Sequence, residues 1–450
     1  MIERTFVGSW YRTPEVEALL RQSLTGEITN HETELERAER TAIREQLHPL
    51  GAGSKGLTWV SNGEQRKSGY TTYLPNRFHG FSSAERIPQP GLSALVEELK
   101  EANPALLAAL SSQSVIASLP KVEDKLVYVG AALARAEAEQ AVRLAKEEGA
   151  PKIFVTAPSP GVITVFFPPG KAYRDHLDYL GALSAEIRKE YEAILSVNGA
   201  YLQIDAPDLA MAKQLSPDWG IDFYEALPHH VDAINEAIKG LPKDRIRVHY
   251  CYGNYLSSHV SDADFRRVLP ELMRLNASTI VGETANPRHE GDALIYEEYV
   301  KEHGWPKGLK LAVSVVDVKT PFVESPETVA LRLDRYAAFL GAENILASTD
   351  CGYQTFLGLN NVPKAIALRK LAAIAEGSEL EEKRLGLARG LTCELRLRRS
   401  RASCFNGNAR CTAGVGRAEV RLRRLSAYVR AGPTAITHST TEGNPRPFPR

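Results

Sequence analysis

The chain has 450 residues, its 55 Lys and Arg residues balance 55 Asp and Glu residues, and 43% of it is apolar. This length fits one large barrel or two to three average domains. The balance excludes an acidic disordered protein and gives no overall basic signal for nucleic-acid binding. Apolar runs fall short of the ~20 residues of a membrane span, and no secretory signal is evident, so we expect a soluble, cytoplasmic protein.

The neutral total hides a basic segment at the end of the chain. From Cys393 to Arg450 there are twelve Arg, three Glu and no Lys or Asp, a net charge of +9, so the remainder carries −9. Such an arm could bind nucleic acid or anionic lipid, but its lack of an apolar period favours a disordered or appended segment. We therefore predict a folded body, residues 1–386, and a disordered or non-native Arg-rich tail, residues 387–450.

Eight short apolar runs in the body have strand character and end in polar or glycine residues. They cover residues 5–10, 57–64, 153–160, 201–208, 246–254, 278–284, 309–317 and 345–352. Helical patterns lie between many of them, as in 171–195 and 325–341, and Ser325 with Pro326 forms a plausible helix start. This alternation predicts an α/β fold, a (β/α)8 TIM barrel. Residues 81–150 are too long for one connection, so we expect a barrel helix plus a helical excursion there.

Polar residues stand at the ends of these runs, where a barrel carries its active site. His249 and Cys251 are two apart, so a strand would present both on one face as zinc ligands. Glu283 and Cys351 end two later runs, and Cys251 and Cys351 are the only cysteines of the body. The four residues together predict a Zn2+ site at the barrel mouth. The simpler interpretation is that Cys351 is an inert, buried residue.

A zinc site with thiolate ligands is suited to activating a substrate thiol. A free alkyl thiol has a pKa of ~8.5 and is mostly protonated at neutral pH. Coordination removes the proton while the sulfur stays nucleophilic, and its attack then falls on an alkyl donor. Glu283 is the ligand expected to move aside, because carboxylates bind soft sites less well. The pattern therefore predicts alkyl transfer onto sulfur.

Six ordered motifs give the body a family resemblance. They are GSWYRTPE near the start, SNGEQR at 61–66, LQIDAPDLA at 202–210, HYCYGNY at 249–255, GETANPRHE at 282–290 and STDCGYQT at 348–355. From about Glu3 to Gly377 the chain resembles the catalytic barrel of cobalamin-independent methionine synthases, particularly the single-barrel members. The resemblance implies a cytoplasmic, zinc-dependent methyltransferase of methionine biosynthesis. It would transfer a methyl group from a methylated folate-type donor to the thiol of homocysteine.

The resemblance also implies roles for individual residues. His249, Cys251, Glu283 and Cys351 look like the family's zinc ligands, while Glu64 and Asp205 match acidic residues that hold the amino group of homocysteine. Ser9 matches a contact to its carboxylate. Two carboxylates beside a bound thiol suit a substrate with an ammonium group. The structural alternatives are an N-cap role for Asp205 and a salt bridge between Glu64 and Arg66.

The chain also departs from the family pattern, which bears on the methyl donor. Ala206 stands where the long synthases have Glu, and Asp317-Val318-Lys319 stands where they have a His that could shuttle protons. We predict catalytic roles for Asp317 and Lys319, with Lys319 a general acid if its pKa is lowered; otherwise it pairs with Asp317. The aromatic residue expected to stack on the folate pterin has no clear counterpart in residues 158–167.

The GNY and NPRHE elements also resemble epoxyalkane:coenzyme M transferases, which open an epoxide with a thiolate. The sulfonate of coenzyme M would need cations, and Arg66, Arg288 and Lys319 are candidates. Arg288 and His289 could equally position Glu283. Other zinc-dependent thiol alkyltransferases, a metal-free binding barrel and a decarboxylase like that of uroporphyrinogen are further alternatives. For partners we expect a small-molecule thiol and an alkyl donor, no nucleic acid at the barrel and no membrane, and a homo-oligomer is compatible with the sequence.

Overall fold

The computed structural model describes residues 1–23, 31–88, 93–112, 115–215 and 219–387. The chain divides into two units, Met1–Cys393 and Glu394–Arg450, and all of the described residues belong to the first. The Arg-rich tail predicted from residue 387 onward lies outside the described residues, apart from Leu387 itself. Its boundary and its nature stay predictions.

Eight parallel strands form a nearly closed barrel with helices packed around it, which confirms the predicted TIM-barrel fold. The strands of this sheet are β1 (Glu3–Arg4), β2 (Trp59–Ser61), β5 (Lys152–Pro158), β6 (Ala200–Asp205), β7 (Ile246–His249), β8 (Thr279–Val281), β9 (Lys310–Val316) and β10 (Ile345–Thr349). Each strand pairs in parallel with the next along the sheet, in the order β1-β10-β9-β8-β7-β6-β5-β2.

The first strand is shorter and earlier than its apolar run predicts. The ladder of β1 ends at Arg4, although residues 5–10 have strand character. Beyond Arg4 the chain leaves the extended conformation at Gly8, whose φ is 132°. Side chains then replace strand partners, since Gln203 donates to the carbonyl of Val7 and Ser61 to that of Gly8. This stretch therefore forms a loop that reaches over the barrel mouth.

Helices follow most of the barrel strands. The structure has α1 (Pro14–Ser23), α2 (Glu32–Leu47), α3 (Ser93–Ala102), α4 (Pro104–Ser112), α5 (Ala131–Glu147), α6 (Pro160–Phe166), α7 (His176–Leu195), α8 (Ala212–Leu215), α9 (Phe223–Ala237), α10 (Phe265–Leu272), α11 (Asp292–His303), α12 (Pro326–Leu340) and α13 (Lys364–Arg384). The predicted start of α12 is confirmed, because the Ser325 hydroxyl accepts from the backbone N–H of Thr328. Helix α7 begins five residues later than the pattern predicts, where Asp175 accepts from the N–H of Asp178.

The excursion after β2 contains more than helices. As expected, α3 and α4 lie in it and α5 follows as a barrel helix. In addition, β3 (Phe78–Pro88) and β4 (Ser118–Tyr128) pair antiparallel as a separate two-stranded sheet, which the sequence analysis did not predict. The excursion is tied to the loop after β7, since Glu98 accepts from the N–H of His259 and Asn103 donates to the carbonyl of Leu256. It therefore reaches the barrel mouth. Within the described part of the chain, none of the helices combines the length and apolarity needed to cross a bilayer.

Candidate functional site at the barrel mouth

Three of the predicted metal ligands meet at the barrel mouth. His249 ends β7, Cys251 follows two residues later, and Cys351 follows β10 by two residues. One ligand atom from each lies within 4.8 Å of the others, and all three side chains are buried. Parallel strands place their carboxyl ends on the same rim, so residues a hundred positions apart in sequence become neighbours.

The imidazole of His249 is oriented for a ligand. Its Nδ1 lies 3.1 Å from the carbonyl oxygen of Val281 on β8, which fixes Nδ1 as the donor. Its buried Nε2 has no hydrogen-bond partner. A buried acceptor without a partner is unfavourable unless something else binds it. An imidazole nitrogen and two thiols at this spacing form a donor set that zinc uses, so the residues present fit a metal ion.

The electrostatics around the two thiols point the same way. The adjacent Cys351 thiol, and then burial, raise the pKa of the Cys251 thiol well above its usual value. Burial disfavours a thiolate because its charge is poorly solvated there. A divalent cation would stabilise the thiolate form of Cys251, and its binding would release a proton. The Cys251 thiol is therefore protonated without a cation, and its Sγ is available as a ligand for one.

The cavity that contains this cluster also contains the three residues predicted to bind an amino acid. Ser9, Glu64 and Asp205 line it together with His249, Cys251 and Cys351. Both the Ser9 hydroxyl and Oε2 of Glu64 are buried without a hydrogen-bond partner. Gly352 leaves room for the Ser9 hydroxyl, because a Cβ at position 352 would lie 1.9 Å from Ser9 Oγ. The polar groups of the cavity thus point to a ligand with several polar atoms.

Glu64 is held in an unusual backbone conformation. It has a φ of 56°, in the left-handed region that side chains other than glycine rarely adopt. Arg12 donates to its carbonyl oxygen at 2.8 Å, and Oδ1 of Asn62 accepts from its N–H at 3.1 Å. Burial raises the pKa of its carboxyl group, against the nearby cations Lys67 and Arg12. Backbone strain of this kind is typical of functional sites.

Asp205 ends β6 and faces the same cavity. Gln203 donates to its Oδ1 at 2.7 Å. Burial, and secondarily the nearby Glu64, raise the pKa of Asp205 to about 7, although His249 opposes the shift. Neither structural alternative for these carboxylates is observed. Ala206, not Asp205, precedes the short helical turn as its N-cap, and Arg66 pairs with Glu32 and Glu39 instead of Glu64.

Glu283 lies outside the three-residue cluster, and neighbouring groups donate hydrogen bonds to both of its carboxylate oxygens. Its Oε1 accepts from Lys319 and from Asn286, each at 2.5 Å, and its Oε2 accepts from the N–H of Tyr252 at 2.7 Å. Lys319, through its charge, lowers the pKa of Glu283 to about 2 against the opposing effect of burial. The predicted fourth ligand is therefore an ionised carboxylate held by neighbours, and its role as a metal ligand stays a prediction.

Lys319 does not have the lowered pKa that a general acid would need. Its Nζ lies 2.5 Å from Glu283, 3.8 Å from Asp317 and 4.0 Å from Asp350. Burial alone would lower the pKa of Lys319, but these three carboxylates raise it above its usual value. The geometry favours the ion-pair alternative for Lys319 and Asp317. Neither residue is among the described lining of the cavity.

The remaining predicted residues lie away from the cavity as well. Arg66 is bound by Glu32 and Glu39, and the side chain of Arg288 is exposed. Within the NPRHE motif, Asn286 contacts Glu283 directly, whereas His289 bonds to Asp262 and Asp292. The described cavity lining contains neither Arg66 nor Arg288. No cation is therefore available among these residues for a sulfonate.

One wall of the cavity is aromatic, formed by Tyr70, Phe166 and Phe356, and was not predicted from the sequence. Their ring centroids lie 5.0 to 5.7 Å apart in each pair. Phe166 belongs to residues 158–167, where no aromatic counterpart was evident, and Phe356 follows the STDCGYQT motif directly. Nothing in a short apolar stretch shows which ring will face a cavity. The position of Phe356 beside a predicted ligand loop was the available signal.

The fold and the cluster place the protein in the class of (β/α)8 barrels with a candidate thiolate metal centre at the mouth. Comparisons with known proteins show which family it resembles. Residues 182–376 match the family model described as "Cobalamin-independent synthase, Catalytic domain". This match confirms the resemblance inferred from the motifs, four of which lie within the matched residues.

Two curated relatives and one solved structure are similar to this chain. A methionine synthase of Sulfurisphaera tokodaii is 26% identical over 213 residues, which cover 47% of this chain and 52% of that protein. A 2-hydroxypropyl-CoM lyase of Xanthobacter autotrophicus is 22% identical over 240 residues, covering 48% and 58%. The aligned regions thus span about half the length of these relatives. A B12-independent methionine synthase from Shewanella sp. W3-18-1, solved in complex with selenomethionine, shares the fold with a TM-score of 0.61 and 19% identity over 86% of this chain and 99% of that one.

Proposed function

We propose that this protein is a zinc-dependent S-methyltransferase that alkylates the thiol of homocysteine to give methionine. The observation that carries the proposal is the cluster of His249, Cys251 and Cys351, which shares one cavity with Ser9, Glu64 and Asp205. The family match supports a transferase with small-molecule substrates. The methylated folate-type donor implied by the resemblance stays a prediction.

The residues of the cavity have separate roles in substrate binding and in thiol activation. Zinc held by His249, Cys251 and Cys351 would supply a Lewis acid that lowers the pKa of the substrate thiol. Glu64 and Asp205 offer carboxylate oxygens to the substrate ammonium group, and the Ser9 hydroxyl offers a donor to its carboxylate. The Val281 carbonyl keeps the imidazole of His249 oriented.

A titration with two thiols tests this assignment against use of coenzyme M, since the Xanthobacter relative is named a 2-hydroxypropyl-CoM lyase. We expect one equivalent of zinc in the purified protein. In the Co2+-substituted protein, homocysteine should change the ligand-to-metal absorption at concentrations at least about tenfold below those needed for coenzyme M. The reason is that the described lining offers carboxylates and neither Lys nor Arg. Protein without stoichiometric zinc would favour the metal-free binding barrel, and tighter binding of coenzyme M would favour the lyase.

The pH dependence of thiol binding tests the role of Asp205. Only the ionised carboxylate attracts an ammonium group, and the pKa of Asp205 lies at about 7. Affinity for homocysteine should therefore rise about tenfold between about pH 6 and 8, beyond any change seen for 3-mercaptopropionate, which lacks the amino group. Asp205→Asn should remove this difference. Calorimetric titration of the zinc-loaded protein measures it, and identical profiles for the two thiols in the unmodified protein would contradict the assignment.

A further inference from the structure

One wall of the cavity is aromatic and lies beside the two thiols. Tyr70, Phe166 and Phe356 pack against one another on the wall of the same cavity as the two thiols. Tyr70 lines this cavity together with Cys251 and Cys351. A group that approaches the sulfurs along this wall meets aromatic rings.

The charges of the cavity favour a cation and oppose an anion. Its described lining includes the carboxylates of Glu64 and Asp205 and contains no Lys or Arg. The predicted candidate Lys319 is paired with Glu283, Asp317 and Asp350. Aromatic rings attract cations through their negative faces, most strongly where water is excluded. A donor with a polyanionic tail finds neither Lys nor Arg in the described lining, and the cations behind it, Lys67 and Arg12, already face Glu64. A cationic donor finds aromatic rings there.

From the aromatic wall and the charges of the lining we propose that the methyl donor is a small onium compound, a methylsulfonium or a quaternary methylammonium, bound against Tyr70, Phe166 and Phe356. This inference rests on the proposed thiol alkylation. The acceptor thiol loses its proton to solvent, and its sulfur forms a new S–C bond with the methyl carbon. The bond from that carbon to the onium sulfur or nitrogen breaks, its electron pair stays on the leaving atom, and a neutral thioether or tertiary amine departs.

Binding without an acceptor tests the donor subsite by itself. In the zinc-loaded full-length protein we expect trimethylsulfonium and choline to bind at least about tenfold more tightly than 3,3-dimethyl-1-butanol, the neutral isostere of choline. Phe166→Leu and Phe356→Leu keep an apolar side chain but remove the ring. Each should weaken trimethylsulfonium binding by about 5- to 30-fold. Phe339→Leu, on α12 beside Tyr336, should leave it unchanged. Equal binding of the neutral isostere, or unchanged binding in both ring variants, would overturn the proposal.

Transfer of a labelled methyl group distinguishes the donors. With methyl-13C trimethylsulfonium and homocysteine, we expect labelled methionine and dimethyl sulfide in equal amounts. Glycine betaine in a parallel reaction shows whether an ammonium donor also serves. A kcat/KM for methyltetrahydrofolate above that of both onium donors would overturn the onium assignment, as would onium binding without transfer. Failure of the underlying function is separate, since it appears as missing zinc or missing thiol ligation before any donor is added.

Discussion

Replacing Cys351 with Ser is expected to weaken zinc binding by about a hundredfold or more and to reduce turnover at least in proportion. The serine hydroxyl does not ionise near neutral pH and is a poor ligand for a soft site, so His249 and Cys251 would be left as a two-ligand set. Cys251→Ser should have the same effect, because its Sγ belongs to the same cluster. Competition with a chromophoric chelator measures the affinity, and metal analysis of the purified protein measures occupancy.

The fold should survive these exchanges, which separates metal loss from unfolding. Both cysteines are 5% exposed, and a serine side chain has the same shape as cysteine, with oxygen in place of sulfur. Circular dichroism of the metal-free variants should match that of the metal-free parent. Cys404→Ser, in the segment predicted to be separate from the barrel, is the matched control and should keep its zinc. Full zinc occupancy and activity in either Cys251→Ser or Cys351→Ser would exclude the proposed metal centre.

Replacing Lys319 with Met is expected to destabilise the protein by about 3–5 kcal/mol. The substitution leaves Glu283 and Asp350 without their shared cation, and Lys319 is only 3% exposed. A buried carboxylate that loses its partner must either stay charged in a poor solvent or take up a proton. Urea denaturation, with the free energy of unfolding extrapolated to zero denaturant, measures the loss.

Two further variants identify the cause of that loss. Lys364→Met removes a half-exposed pair with Glu45, whose atoms lie 2.6 Å apart, and should cost about 1 kcal/mol or less. Glu283→Gln combined with Lys319→Met removes both charges and should recover part of the lost stability. If Lys319→Met alone cost no more than Lys364→Met, Lys319 would not be the structural cation described above.

Much of the fold was predictable because strand ends and turn residues carry local signals. The apolar runs before His249 and Cys351 became β7 and β10, and Ser325 caps α12 as its sequence indicates. The first strand was misplaced because residues 5–10 have strand composition, while their backbone groups bond to the side chains of Gln203 and Ser61. The two-stranded β3–β4 sheet was not predicted because the pairing of distant strands leaves a weak local pattern.

The candidate site was predictable where chemistry limits residue choice. His249, Cys251 and Cys351 have few simple structural interpretations together at strand ends, and the structure places them together. Charged residues are harder to assign, because sequence does not reveal which of several partners a lysine or arginine will choose. Arg66 and Lys319 were considered for substrate contacts, and each is paired with carboxylates instead. Aromatic residues such as Phe166 are indistinguishable from ordinary core residues until the cavity is known.

The excursion between β2 and α5 and the cluster of His249, Cys251 and Cys351 come from different parts of the fold. Leu95, Leu110 and Ile116 from this insertion contribute to the cavity wall, although the insertion adds no strand to the eight-stranded sheet. The cluster of His249, Cys251 and Cys351, in contrast, depends on residues at the ends of β7 and β10. Changes in the excursion would therefore reshape one wall of the cavity while the residues of the cluster stay in place. Homologues with a different excursion are expected to differ in the shape of the cavity more than in the cluster.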